Sequence, residues 1–339
     1  MQVRTAAGVT VKSALAFLLY ALSFCSPISV NLTPDRILAK ASYPEGPLVV
    51  GEYIYFVEYA KNAIKRVSLD PAVTAAQAWE YVRPGCGPSG LAQLPDGSLL
   101  VACYDENSLL QLRPKAEAEK SEILRVLSSA LESGVERALH GPNDLAVRLS
   151  DSRVFFTASG AFDREAPSVG KLYQFGLSGP EVIAEGLHYA NGVAVSPDGQ
   201  RLYVGEHLSR RILFAALDQP RITLREFVNL EDEAVRRLLP RPGHNEPAEQ
   251  AYIGPDGMAV APDGYLFVAI FGGGTILVFD PKGSPVAAFS LEFLDVTNLD
   301  LACQEGHWKS CKMYVTEVGD AWRAPYSGRV VMYDLARLL

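Results

Sequence analysis

This sequence predicts an all-β fold, a six-bladed β-propeller with four-stranded blades and a central metal channel, and three observations support that expectation. A strand–turn–strand phrase returns about every fifty residues, the mark of a repeat architecture, and it can be counted six times in 339 residues. Most returns carry turn chemistry, plainest in the Pro-Asp-Gly triplets at 95–97, 197–199 and 262–264, where proline presets φ and glycine accepts a positive one. The segments beside the turns are rich in Val, Leu, Tyr and Phe and run apolar on both faces, as strands buried between neighbouring blades do. Length alone leaves one large domain or two average ones open. The repeat decides, because a propeller grows by adding blades.

Taken in order, residues 1–25 read as an export signal. Arg4 and Lys12 give a positive start and Ala14–Phe24 an apolar stretch, shorter than the roughly 20 residues a spanning helix needs; an uncleaved membrane anchor is the alternative. The propeller is expected over 30–339, with units near 45–70, 87–114, 141–179, 190–218, 254–283 and 297–337. A strand near Arg36–Ala41 closes the ring by pairing with the last blade, which hides an edge. Two segments interrupt the repeat. Residues 115–139 are charged and suggest a short helix between blades; residues 229–253 lead straight into Asp256 and either cover the channel mouth or make a surface excursion. Within the latter, Glu231–Glu233 and Arg236-Arg237 read as a solvated face.

Removing residues 1–25 leaves four cysteines, an even count that suits an oxidising compartment, periplasmic or extracellular. Centring a hairpin on 306–308 sets Cys303 opposite Cys311, so a cross-strand disulfide is geometrically open to that pair. Cys86 and Cys103 stand about four residues out of hairpin register, and their bridge is not expected. A net charge of −8 without a basic stripe argues against nucleic acid.

The repeat also picks out side chains. Glu45, Ser89, Asn143, Asn191, Asp256 and Asn298 each stand at one repeat position, six residues ahead of a turn. In a closed ring that position has one radius and one height, so these oxygens converge on the channel. Two carboxylates match a divalent cation, and the amides add neutral hard donors. The expected cofactor is one such cation, Ca²⁺ first, with Mg²⁺, Mn²⁺ or Zn²⁺ as the other candidates. Asn-Gly and Asp-Gly pairs that merely cap turns are the competing explanation. Glu45 weighs against it, since glutamate is a poor turn cap.

The phrases EGP at 45–47, PNDLAV at 142–147, NGVAVSPDGQRLYVGE at 191–206, PDGMAVAPDGYLFVAIFGGGTILVFDPKG at 255–283 and the closing TNLDLA…MYVTE resemble the regucalcin (senescence marker protein)/gluconolactonase family of metal-dependent lactonases, over roughly residues 37–337. The resemblance implies Glu45, Asn191 and Asp256 as metal ligands and Asn143 as ligand or substrate contact. It implies lactone hydrolysis, with Asp256 as general base, on a small-molecule lactone or ester. One departure bears on substrate: where sugar-lactone members carry an arginine before the Asn-Asp phrase, this chain has His140-Gly141-Pro142. His140 is therefore a candidate second base, as in paraoxonase-like esterases. Glu58, Tyr104, Ser159, Glu206, Phe271 and Glu317, at the ends of second strands, are candidate rim residues, with Asp163 and Glu165 on a following loop. Phe271 before Gly272–Gly274 offers an apolar wall for an acyl or aryl lactone. Gly272–Gly274 lacks the strand-to-helix setting of a nucleotide loop, and Ser89 lacks the nucleophile-elbow pattern. Paraoxonase-like or strictosidine-synthase-like chemistry on the same fold, and a non-catalytic binding module, are the rival readings.

Overall fold

Strands apolar on both faces bury themselves only between other sheets, and here six small sheets do so. The computed structural model describes residues 27–73, 79–176, 179–239 and 252–337. The expected export segment and residues 240–251 lie outside these. Blade one begins with inner strand Pro44–Val50, blade two with Pro88–Gln93 and blade three with Pro142–Arg148. Blades four, five and six begin with Ala190–Val195, Gly254–Val260 and Asp295–Cys303. Each inner strand packs on the next, and that of blade six on that of blade one, which closes the ring. Blades one and four therefore face each other across the axis, as do three and six.

The closure predicted from Arg36–Ala41 is present: Arg36–Ser42 pairs antiparallel with Ser327–Asp334 as the outer strand of blade six. A second clasp was not foreseen. Ile28–Asn31 pairs parallel with Pro285–Ser290 of blade five, and Leu32 beside it is buried. Between blades the core is aromatic and aliphatic. Phe156 stacks on Tyr173 at 4.7 Å, and Phe267, Phe289 and Trp308 cluster against blade six.

The helix expected over 115–139 is replaced by strands. Apart from a single 3₁₀ turn at Ala118–Lys120, Glu122–Leu127 forms the outer strand of blade two. Ser129–Glu132 and Val135–Ala138 make a hairpin on the edge of blade three. The open edges of two blades supplied backbone partners that outweighed the helix-forming composition. In the second interruption lies a one-turn helix, Glu233–Arg236; its face is solvated as expected, with Arg237 paired to Glu233, and Glu231 pairs with Arg210 of blade four.

Both cysteine pairs are bridged, Cys303–Cys311 as geometry allowed and Cys86–Cys103 against expectation. The register count missed a turn. Pro88 pairs with Cys103, and Gly87, at φ 53°, folds Cys86 back over that partner with their Cα atoms 4.5 Å apart. By loop-closure entropy this bridge, closing 17 residues, contributes about 3 kcal/mol. Cys86→Ala/Cys103→Ala is expected to melt about 5 °C lower, checked by calorimetry; an unchanged Tm would show that the link adds nothing to the folded state.

Candidate functional site

The inner strand of every blade slips register at or beside the repeat position. Pairing is interrupted after Glu45, around Ser89, at Asn143 and Asp144, at Asn191 and Gly192, at Asp256 and Gly257, and at Thr297. A bulge releases a side chain from the sheet and re-aims it, here toward the axis. Five of the six predicted residues, Glu45, Ser89, Asn143, Asn191 and Asp256, line one cavity of about 380 Å³.

Asn298 is the exception. Val296 pairs with Glu317 and Asn298 with Thr316, so the residue set free in blade six is Thr297. Its hydroxyl donates to the Pro44 carbonyl at 2.8 Å and ties blade six to blade one. Ser89 does the same between blades two and three, donating to the Asn143 carbonyl at 2.8 Å. Asn298, one place further on, belongs to a second layer. Glycines stand there in four blades, at 46, 90, 192 and 257, while Asp144 and Asn298 stand in opposed blades three and six. Their side chains hydrogen-bond each other across the channel. A side chain at Gly257 would overlap that of Asn298, with Cβ only 2.0 Å from Cγ. Asp144 also accepts the Val193 N–H at 3.0 Å. The signal for this layer was in the sequence, as four glycines interrupted by one aspartate and one asparagine.

Above it the ring residues are held by neighbours. Asn143 donates through Nδ2 to Ser159 Oγ at 2.9 Å. Asn191 hydrogen-bonds Asp256 and places Nδ2 3.4 Å from His207 Nδ1. His207 Nε2 lies 2.8 Å from the Tyr252 carbonyl, so that nitrogen carries the proton and Nδ1 accepts. Burial pushes the imidazole down to about 4, and it is neutral at pH 7. Tyr252 is the penultimate residue of the second interruption, whose last residues thus reach the channel mouth. His207 is the cavity's histidine, and the repeat did not mark it. His140 is exposed and is not among the lining residues; the chain turns at Gly141, φ 62°, between it and the site.

Of the expected rim, Tyr104 and Phe271 line the cavity. Glu58, Glu206 and Glu317 instead are buried within their blades, paired with Lys65, Arg211 and Arg329. Register explains this: Arg211 and Arg329 stand directly opposite Glu206 and Glu317 on the third strand, and Lys65 lies two places along from Ala63, the partner of Glu58. Asp163 and Glu165 are exposed, but their loop delivers Phe162 to the cavity wall.

Electrostatics set the character of the site. Burial, then the charge of Asp256 and Asp144, holds the Glu45 carboxyl well above the usual carboxylate range. Burial, then Asp144, raises Asp256 likewise, with Asp295 adding to it. Among the described residues, none lining the cavity is lysine or arginine. Two acids that repel each other, flanked by fixed amide oxygens, form an all-oxygen donor set that fits a hard divalent cation. The cluster of Cys86, Cys103 and Glu106 is no rival, since its sulfurs are joined and Glu106 pairs with Arg83.

Asp144 and Asp300, the latter accepting the Val49 N–H at 2.7 Å, are each raised to about 6, chiefly by burial. The folded state therefore binds protons more tightly than an unfolded aspartate of about 3.9. Their stabilising contribution is complete below that value and lost as pH rises to about 6. In chelator, folding stability is expected to fall between about pH 4 and 6 by up to roughly 2 kcal/mol per group, read as a falling Tm. Asp300→Asn should flatten that slope, and an identical slope in the variant would exclude Asp300 as its source.

Comparisons with known proteins agree with this architecture. The chain is 25% identical over 281 residues to the gluconolactonase of Zymomonas mobilis, covering 76% of this chain and 72% of that one. It is 30% identical over 106 residues to lactonase drp35 of Staphylococcus aureus, a match spanning 31% of this chain and 28% of the lactonase. In fold it is similar to a calcium-binding protein, regucalcin, from Agrobacterium tumefaciens, with a TM-score of 0.66 at 16% identity, covering 90% and 95% of the two chains. A gluconolactonase from Xanthomonas campestris superposes with a TM-score of 0.61 at 18% identity, covering 90% and 97%. Residues 43–319 match the model of the SMP-30/Gluconolactonase/LRE-like region, and the chain belongs to that family.

Proposed function

We propose that this chain is an exported, divalent-metal-dependent hydrolase that opens a lactone or a related carboxylic ester. One observation carries the reading: Glu45 and Asp256, from blades one and five, share a cavity with Asn143 and Asn191 and, among the described residues, no lysine or arginine in its lining. A binding surface has no use for two buried, mutually repelling carboxylates. The two disulfides support an oxidising destination, and the lactonase names of the relatives support the reaction class.

Glu45, Asn191 and Asp256 are the residues that would hold the cation, with Asn143 beside them as ligand or substrate contact. When bound, it supplies Lewis acidity at the lactone carbonyl and charge to offset a developing oxyanion. The rest falls to the chain itself. Asn143, oriented by Ser159, fixes the substrate's polar end. Asp256 takes a proton from the attacking water as the new C–O bond forms. That proton then passes to the alkoxide as the ring C–O bond breaks, leaving a hydroxy acid. His207 keeps Asn191 in place through Nδ1, and as a neutral ring it adds no charge to compete with the cation. Aromatic side chains around the mouth exclude bulk water.

A panel of sugar, aliphatic and aryl lactones and simple esters, assayed with and without chelator, tests the reading. Turnover that depends on a divalent cation is the expected result. Lack of turnover on every member, in protein replete with calcium, magnesium, manganese or zinc, would refute it.

A further inference from the structure

Four inner strands are entered through a residue in the left-handed region, two places before the ring position. These are Tyr43 (φ 51°), Gly87 (53°), Gly141 (62°) and Tyr189 (59°). The conformation serves the fold, since each carbonyl accepts an N–H from just past the adjoining strand, at Tyr59, Tyr104, Ser159 and His207. Glycine adopts it without steric penalty, as in blades two and three. Tyrosine does not.

The two tyrosine blades carry a device the glycine blades lack. Glu58 accepts the Ser42 N–H at 2.7 Å and is held by Lys65 at 2.6 Å. Glu206 accepts the His188 N–H at 2.9 Å and is held by Arg211. Ser42 and His188 immediately precede the two tyrosines. At the matching strand ends, blades two and three have Cys103 and Ala158. Buried carboxylates, each held by a partly exposed basic side chain, thus pin the backbone where it is disfavoured, on two opposed blades.

Strand closure needs only glycine, so the tyrosines answer to the cavity, which both line. Tyr43 packs against Tyr59 at 5.6 Å and Tyr326 at 5.9 Å; Tyr189 packs against Phe162 at 4.7 Å. Phe162 continues the collar to Trp322 at 6.2 Å. Hydroxyls in this wall are largely committed: Tyr189 donates to Tyr104, Tyr104 to the Gly160 carbonyl, and Tyr59 to Asp105 at 2.9 Å. The walls present ring surface, with the polar donors of the site on the floor.

We infer that Tyr43 and Tyr189 contact the substrate and select a lactone or ester whose carbonyl adjoins an aromatic or comparably flat apolar ring. This specificity rests on the hydrolase reading above, but ring recognition can be measured apart from turnover. Glycine and alanine variants at each position remove the same ring and differ in backbone strain. Tyr43→Gly and Tyr189→Gly are expected to melt about 2 °C above the matching alanine variants. All four should bind a benzo-fused six-membered lactam, a hydrolysis-resistant lactone analogue, at least about tenfold more weakly than wild type, while Tyr43→Phe and Tyr189→Phe stay within about threefold. In turnover, KM for the benzo-fused lactone should rise at least about tenfold in the glycine variants, while that for an unsubstituted six-membered lactone stays within about threefold. Asparagine, which also tolerates the left-handed region, serves if a glycine variant fails to fold.

Wild-type lactam affinity in the glycine variants, or equal melting of glycine and alanine variants, would overturn the inference. Should the lactam bind with the expected ring dependence while no lactone or ester is opened, the hydrolase reading fails and ring recognition stands. Should aryl lactones be opened with glycine variants unimpaired, the reverse holds.

Discussion

Asp256→Asn is expected to lower kcat/KM for lactone opening about a thousandfold or more, while leaving Tm in chelator unchanged or higher. The two effects have one cause. Asp256 lies beside Glu45, Asp144 and Asp295, and burial among like charges disfavours its ionised form. In the cation-free protein the carboxylate is thus a liability, and its neutral isostere removes repulsion at little change in volume. In the proposed mechanism the same charge is indispensable, because there it is both a cation ligand and the acceptor of water's proton. Asparagine keeps one oxygen but has neither the charge nor the basicity. Kinetics and calorimetry on one preparation check the pair. Full lactonase activity in Asp256→Asn would end the proposed mechanism, and a large loss of Tm would recast Asp256 as structural.

Removing the cation is expected to abolish turnover and to lower Tm relative to the loaded protein. A ligand that binds only the folded state stabilises it by about 2.7 kcal/mol at a hundred times its dissociation constant, or about 4 °C for a chain of this length. Glu45→Gln should shrink that increment, since one of the two balancing charges is gone. Among the described residues the cavity lining has no lysine or arginine, and its one histidine is neutral, so activity should return only when a divalent cation is restored. Calcium, magnesium, manganese and zinc titrations followed by melting temperature would rank the candidates without reference to substrate. A Tm indifferent to all four would separate the acids from any metal role.

Much of the site was legible because a propeller converts sequence periodicity into spatial convergence. Glu45, Ser89, Asn143, Asn191 and Asp256 are far apart in the chain, yet they share one cavity by occupying one repeat position. The same rule failed at Asn298, where the blade-six bulge falls one residue earlier, at Thr297. Spacing places a strand but does not say which residue the ladder drops. Cys86–Cys103 was missed for a related reason, since a left-handed turn at Gly87 shortens the path that a register count assumes. Strand-end position suggests Glu58 and Glu206 as rim residues, but a strand end near the mouth can point sideways into its own blade as readily as toward solvent.

The number of blades, the chemistry of the ring and the closure through Arg36–Ser42 belong to the one-dimensional sequence, because each rests on a pattern that repeats. The roles of His207, Tyr43, Tyr189 and Phe162 do not. Tyr43, Tyr189 and His207 stand at turn positions whose residue type differs from blade to blade, and Phe162 on a loop between strands, so they meet as one wall only after blades one, three and four are packed round the axis. The Asp144–Asn298 contact is of the same kind: two ordinary polar residues acquire meaning when opposed blades bring them within hydrogen-bonding distance. Local pattern sets what each strand can offer, and the closed ring sets which offers face one another.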